Sequence, residues 1–100
     1  MHDILNRIEK IVNICETVVA EGASPNVDVV KIIRREFEKI KDSVNKDGKI
    51  PVLNKKRELW ACRTIVDSAN LDCDDDLFQK VFAFEKMCRK LPNAKIVVLF

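Results

Sequence analysis

Val30-Lys31-Ile32-Ile33-Arg34-Arg35-Glu36-Phe37-Glu38-Lys39-Ile40-Lys41-Asp42-Ser43-Val44 is the stretch whose spacing decides the fold. Val30, Ile33, Phe37, Ile40 and Val44 recur three and four residues apart, the repeat that puts side chains on one face of an α-helix. Lys31, Arg34, Arg35, Glu38, Lys41 and Asp42 fall on the opposite face. An apolar stripe backed by charge is how a surface helix meets a core. The helix is expected over 25–45. Ser24 offers an N-cap hydroxyl, Pro25 suits a first helical residue, and Asp47-Gly48 stops the run.

The same repeat extends outward in both directions. Upstream, Ile4, Ile8, Ile11, Cys15 and Val18 form a stripe widened by Leu5, Val12 and Val19, and Gly22 closes it as a C-terminal cap. Downstream, Leu59, Cys62, Val66 and Ala69, flanked by Trp60 and Ile65, predict a third helix over 51–70. It opens either at Pro51 or after Asn54 as N-cap. Leu77, Val81, Phe84, Cys88 and Leu91, with Phe78 and Phe82 beside them, predict a fourth over 76–91. Asp76 and Gln79 have the spacing of a capping box, and Pro92 closes the helix. Four helices joined by short connections imply an all-α fold, an antiparallel up-down-up-down four-helix bundle in a single domain over 1–100.

Residues 93–100 break the pattern. Lys95-Ile96-Val97-Val98-Leu99-Phe100 is β-branched and apolar and reads as extended. Its first expected role is a tail folded onto the bundle over a groove between helices. The alternative is a short strand paired with Lys49 to Leu53, within the chain or across a homodimer, with Pro51 confining that strand to an edge. Uncovered, such a segment would invite aggregation.

One hundred residues suffice for one domain, and a 47% hydrophobic, 34% charged composition with two Gly is that of a folded chain. Met1-His2-Asp3-Ile4 has neither a basic segment nor an apolar run of the kind that opens a signal peptide. Ile96 to Phe100, the longest apolar run, is far short of the roughly 20 residues that span a bilayer. Of the four cysteines, Cys15, Cys62, Cys73 and Cys88, three fall within apolar stripes, and they are expected to be reduced and buried. A cytoplasmic location follows as the expectation.

Chemistry-bearing patterns are sparse. The cysteines lack paired metal-ligand spacing, and the one histidine is His2, so no structural zinc site is expected. Asn70, Asp72 and Asp74 alternate like the opening of a calcium loop, but Asp75 and Val81 stand where such a loop needs glycine and glutamate. Cys62 and Cys88 lie on faces expected to be buried, where a thiol is inert, and no histidine in the body of the chain can serve as their base. Two glycines cannot build a phosphate-cradling loop. These observations favour a non-catalytic protein with no cofactor.

The formal net charge of +2 hides an asymmetry. Residues 31–57 carry ten Lys or Arg against four acids, so the basic segment is strongly positive and the remainder is negative. Lys55-Lys56-Arg57 would sit in the first turns of the third helix, where the helix dipole disfavours cations. The first expectation for the run is a solvated face. The alternative, since a broken local rule points to function, is a patch for phosphates, acidic lipid or an acidic partner. Trp60 reads first as core and, if exposed, as the aromatic of an interaction surface. Lys55, Lys56, Arg57, Trp60, Ile96, Val98 and Phe100 are therefore the candidate partner-binding residues. The expected partner is a protein, with nucleic acid bound through the basic segment as the alternative.

Gly48-Lys49-Ile50-Pro51-Val52-Leu53, the two amphipathic helices that follow it, and the terminal segment Asn93 to Phe100 give residues 30–100 a layout that resembles the pediocin-like bacteriocin immunity proteins. The resemblance implies a cytosolic four-helix bundle that protects its producer by recognising a bacteriocin-bound membrane receptor complex. It implies that specificity lies in the third and fourth helices and the tail. Here those are the exposed residues of 51–70 and 77–91, with Ile96 to Phe100.

Overall fold

The computed structural model describes residues 2–22, 24–68 and 75–99, with the backbone alone of Asp75. Among them are four helices, α1 (His2–Glu21), α2 (Val27–Asp47), α3 (Trp60–Ser68) and α4 (Asp75–Cys88), and two short strands, β1 (Ile50–Val52) and β2 (Ile96–Val98). The protein is mainly helical. Helix α1 packs on α2 and α4, and α3 packs on the same two helices from the other side of the chain's order.

The stripes of the first two helices face inward as their spacing requires. Ile4, Ile8, Ile11 and Cys15 of α1 are buried with Val30, Ile33, Phe37, Ile40 and Val44 of α2. Phe37 meets Phe84 of α4 edge-to-face at 5.1 Å between ring centroids, an arrangement that sets one ring's positive edge on the other's negative face. Gly22 and Gly48 both adopt left-handed φ, and their N–H groups bond the carbonyls of Val18 and Val44, ending α1 and α2. Helix α2 begins two residues later than the Ser24-Pro25 reading. Ser24 Oγ accepts the Asn26 N–H at 3.0 Å, closing a turn ahead of the helix.

The purely α-helical expectation is corrected by a two-stranded parallel sheet. Ile50 pairs with Ile96, Pro51 with Val97 and Val52 with Val98, and the Leu99 N–H extends the ladder to the Val52 carbonyl at 2.9 Å. The C-terminal segment is thus a strand of this chain, as in the second of the two expectations for it. Parallel neighbours need a long crossover, and α3 and α4 supply it. Pro51 fits because alternate residues point their polar groups to opposite sides of a strand. With Val52 turned to β2, Pro51 is turned away, where its missing N–H breaks no ladder bond.

The third helix is the second correction. It starts at Trp60, not at Pro51 or Asn54. Asn54 does act as a cap, but of a turn: its Oδ1 accepts the Lys56 N–H at 3.0 Å and the Glu58 N–H at 3.4 Å. Leu53 N–H then closes onto the Glu58 carbonyl. Arg57 sits at φ 60°, a left-handed conformation that cannot propagate a helix. Lys55, Lys56 and Arg57 therefore lie in this turn and not in a helical first turn. In α3 the buried residues are Ala61, Cys62 and Ile65, while Val66, expected in the stripe, is 70% exposed. Ala69, Cys73 and the acidic run from Asn70 to Asp74 lie outside the described residues. Asp76 is the second residue of α4, so it is not the cap residue, and its carboxylate pairs with Lys80 at 3.1 Å.

Candidate functional site

Two carboxylates from different helices hold the start of α3. The first N–H groups of a helix have no partner within it and draw negative charge. Glu36 of α2 accepts the Trp60 N–H at 3.1 Å and also bonds the Ala61 backbone. Glu85 of α4 accepts the Leu59 N–H at 2.9 Å and pairs with Arg89 at 3.0 Å. At the other end of the crossover, Arg57 serves α4. Its Nη1 donates to the carbonyls of Cys88, at 2.7 Å, and Leu91, and its Nη2 donates to Asn93 Oδ1. A cation on terminal helix carbonyls is where the dipole favours it. The cationic run breaks no electrostatic rule, because Arg57 belongs to the end of α4.

Beginning α3 at Trp60 leaves its indole outside the core, 54% exposed, contrary to the reading of this residue as core. The indole borders a groove of about 430 Å³ between α2, β1 and the residue after β2. Ile32, Leu53, Trp60 and Leu99 form apolar walls, and Arg35 and Lys39 line the groove with them. Glu36 also lines the groove, and its Oε2 is buried with no hydrogen-bond partner among the described residues. Burial pushes the Glu36 carboxyl up to about 7, against the opposing pull of the Ala61 and Trp60 N–H groups and the Lys39 charge, with Glu85 adding to the rise.

The expected site residues divide between two places. Lys55, Arg57, Ile96 and Val98 come together with Asn93 around a shallow depression of about 270 Å³. Lys56 is exposed, and its carbonyl accepts Arg89 Nε at 3.4 Å. Trp60 stands apart from them, in the groove, and Phe100 lies outside the described residues. Ile32 and Glu36 were missed as site residues, while Arg35 and Lys39 were anticipated only as part of the basic segment and Leu99 only as part of the tail from Ile96 to Phe100. The available signal was Ile32 itself, an isoleucine lying off the α2 stripe and among Lys31, Arg34 and Arg35. Three cations of the basic segment are already committed: Arg34 pairs with Glu16 and Glu38, Lys41 pairs with Glu9, and Arg57 is turned onto α4.

A carboxylate with its proton affinity raised to neutrality has the profile of an acid–base catalyst. The nearby thiol does not complete a catalytic pair. Cys62 is buried, and burial first, then Glu85, hold it firmly protonated; a thiol in that state is no nucleophile. Among the described residues no group of three or more His, Cys, Asp or Glu side chains is gathered to hold a metal, and no helix is long and apolar enough to cross a membrane. A second groove, between α1 and α4, contains Arg7, Lys10 and Lys80, but its large apolar members Ile11 and Phe84 are buried, leaving only the small Ala83 exposed, and Lys80 is engaged by Asp76. Comparison with known proteins finds no family model, no curated protein and no solved structure that matches the chain.

Proposed function

We propose that this chain is a non-enzymatic interaction protein of inhibitor, immunity or accessory-subunit type, acting in the cytoplasm on a protein partner. The observation that carries the reading is the convergence of three exposed apolar side chains, Ile32 (37% exposed), Trp60 (54%) and Leu99 (55%), around one concavity. Solvent-exposed apolar clusters with a polar rim mark contact surfaces, and a tryptophan at the centre is a common anchor. The tail contributes by pairing with β1, which places Leu99 at the groove. Buried Cys15, Cys62 and Cys88 suit a reducing compartment.

Affinity capture from lysate of the source cells tests this. The intact chain and a Trp60→Ser/Leu99→Ser variant are compared after circular dichroism shows equal helix content. A protein retained by the first and lost by the second is the expected result. The same set of proteins retained by both would remove the groove from the function. The nucleic-acid reading rests on Lys55 and Lys56, which remain exposed, and gel shifts at two salt concentrations address it, since phosphate contacts weaken steeply with salt.

A further inference from the structure

We propose that the groove beside Trp60 receives an acidic segment of a partner protein, with a large apolar side chain seated among Ile32, Trp60 and Leu99 and adjacent carboxylates on Arg35 and Lys39. This rests on the reading of the groove as a protein-docking surface and adds the chemistry of its occupant.

The charge pattern of α2 carries the inference. Arg34 and Lys41, on the side of the helix that meets α1, are each paired with an α1 glutamate. Arg35 and Lys39 lie four residues apart, line the groove, are exposed, and enter no ion pair among the described residues. Cations one helical turn apart can grip carboxylates spaced along one segment. Glu36, the single acid among the described residues that line the groove, does not compete for them as a full charge. One of its oxygens is spent on the α3 backbone, the other is buried, and burial favours its neutral form. The groove is therefore apolar walls under net positive charge.

That pattern selects against the other occupants. A second copy docking groove to groove would set each Arg35 and Lys39 against their symmetry mates, with like charges opposed across the two-fold axis. A phosphate backbone would meet Arg35 and Lys39 but would leave the apolar walls uncovered. An anionic bilayer presents a plane, and the carboxylate and the apolar walls lie in a concavity that a plane does not fill.

Panning a random-peptide phage library on the folded full-length chain tests the proposal. Enriched peptides should carry Asp or Glu next to Leu, Ile, Phe or Trp. They should lose about tenfold or more in affinity on Trp60→Ser, as anchor truncations do. An Arg35→Glu/Lys39→Glu variant should reject them and select basic peptides instead, a swap that no purely structural role would produce. Ile32→Ser serves as the second groove variant should Trp60→Ser fail to fold. Peptides that depend on Trp60 yet show no acidic bias, or ignore the charge reversal, overturn the acidic occupant and leave the docking groove standing. No enrichment over the Trp60→Ser variant overturns both. So does Trp60-dependent sedimentation with phosphatidylcholine–phosphatidylglycerol vesicles in place of peptide binding, or concentration-dependent self-association abolished by Trp60→Ser.

Discussion

The Glu36 carboxylate reaches from α2 to the backbone N–H of Trp60, 3.1 Å away, so a side chain of the second helix fixes the first residue of the third. Glu36 Oε2 is buried without a hydrogen-bond partner among the described residues, in a side chain that lines the groove. Positioning of α3 and chemistry of the groove are thereby joined in one residue.

Glu36 makes stability depend on pH in a defined direction. Its carboxyl is raised from 4.5 to about 7 on folding, chiefly by burial. The native state thus holds a proton that the unfolded chain releases at lower pH. The stabilisation is fully present below pH 4.5 and is lost as pH rises through about 7. Glu36→Gln keeps an acceptor for Trp60 and removes the charge. Denaturant melts should show it more stable than the parent by about 1–2 kcal/mol above neutrality and nearly equal at acid pH. Equal stability curves across that range would refute the role assigned to this carboxyl.

Arg57 combines a strained backbone with strong contacts, and two substitutions separate them. Arg57→Ala removes the bonds to Cys88, Leu91 and Asn93 and keeps the left-handed φ of 60°. A loss of about 2–4 kcal/mol is expected, because hydrogen bonds from a charged donor are the strong ones. Arg57→Gly loses the same bonds but relieves the backbone, so it should be about 1 kcal/mol less destabilised than Arg57→Ala. Equilibrium unfolding of both gives the comparison.

The rotation of the α3 stripe is checked by neighbouring substitutions. Ile65→Ala empties a fully buried site and should cost about 2–5 kcal/mol. Val66→Ala, at a position 70% exposed, should change stability by about 0.5 kcal/mol or less. Thermal or chemical melts with the opposite ranking would restore the stripe expected from spacing.

The thiols should be unreactive in the folded chain. Burial, with Glu85 second, pushes Cys88 up to about 12 and Cys62 further still, and Cys15 is fully buried. In a Cys73→Ser background, a thiol-exchange reagent at mildly alkaline pH should label them only as fast as the protein unfolds. Rapid labelling of Cys62 or Cys88 under native conditions would contradict the burial described here.

Spacing made the helices of the first half legible. Every stripe residue from Val30 to Val44 is buried, and both glycines stop their helices as left-handed caps. Residues 51–59 were misread for a physical reason. An Asn that opens a helix and an Asn that closes a turn use the same side-chain acceptor, and Asn54 serves both descriptions. What decides between them is Arg57, whose partners lie more than thirty residues away and are invisible to any local window. The strand partner of Ile50–Val52 is equally remote. Once α3 starts at Trp60, the inward face shifts, so Val66 and the indole turn outward. The groove depends on that shift, and the sequence hinted at it only through Ile32 and through Trp60 as a candidate for an interaction surface.

One Trp and no Tyr in the chain mean that its ultraviolet emission, excited beyond the phenylalanine band, has a single origin. That origin is the indole at the mouth of the groove. The wavelength of this light therefore describes the surroundings of one wall of the groove. Unlabelled protein carries its own optical probe of whatever enters, undiluted by signal from the core.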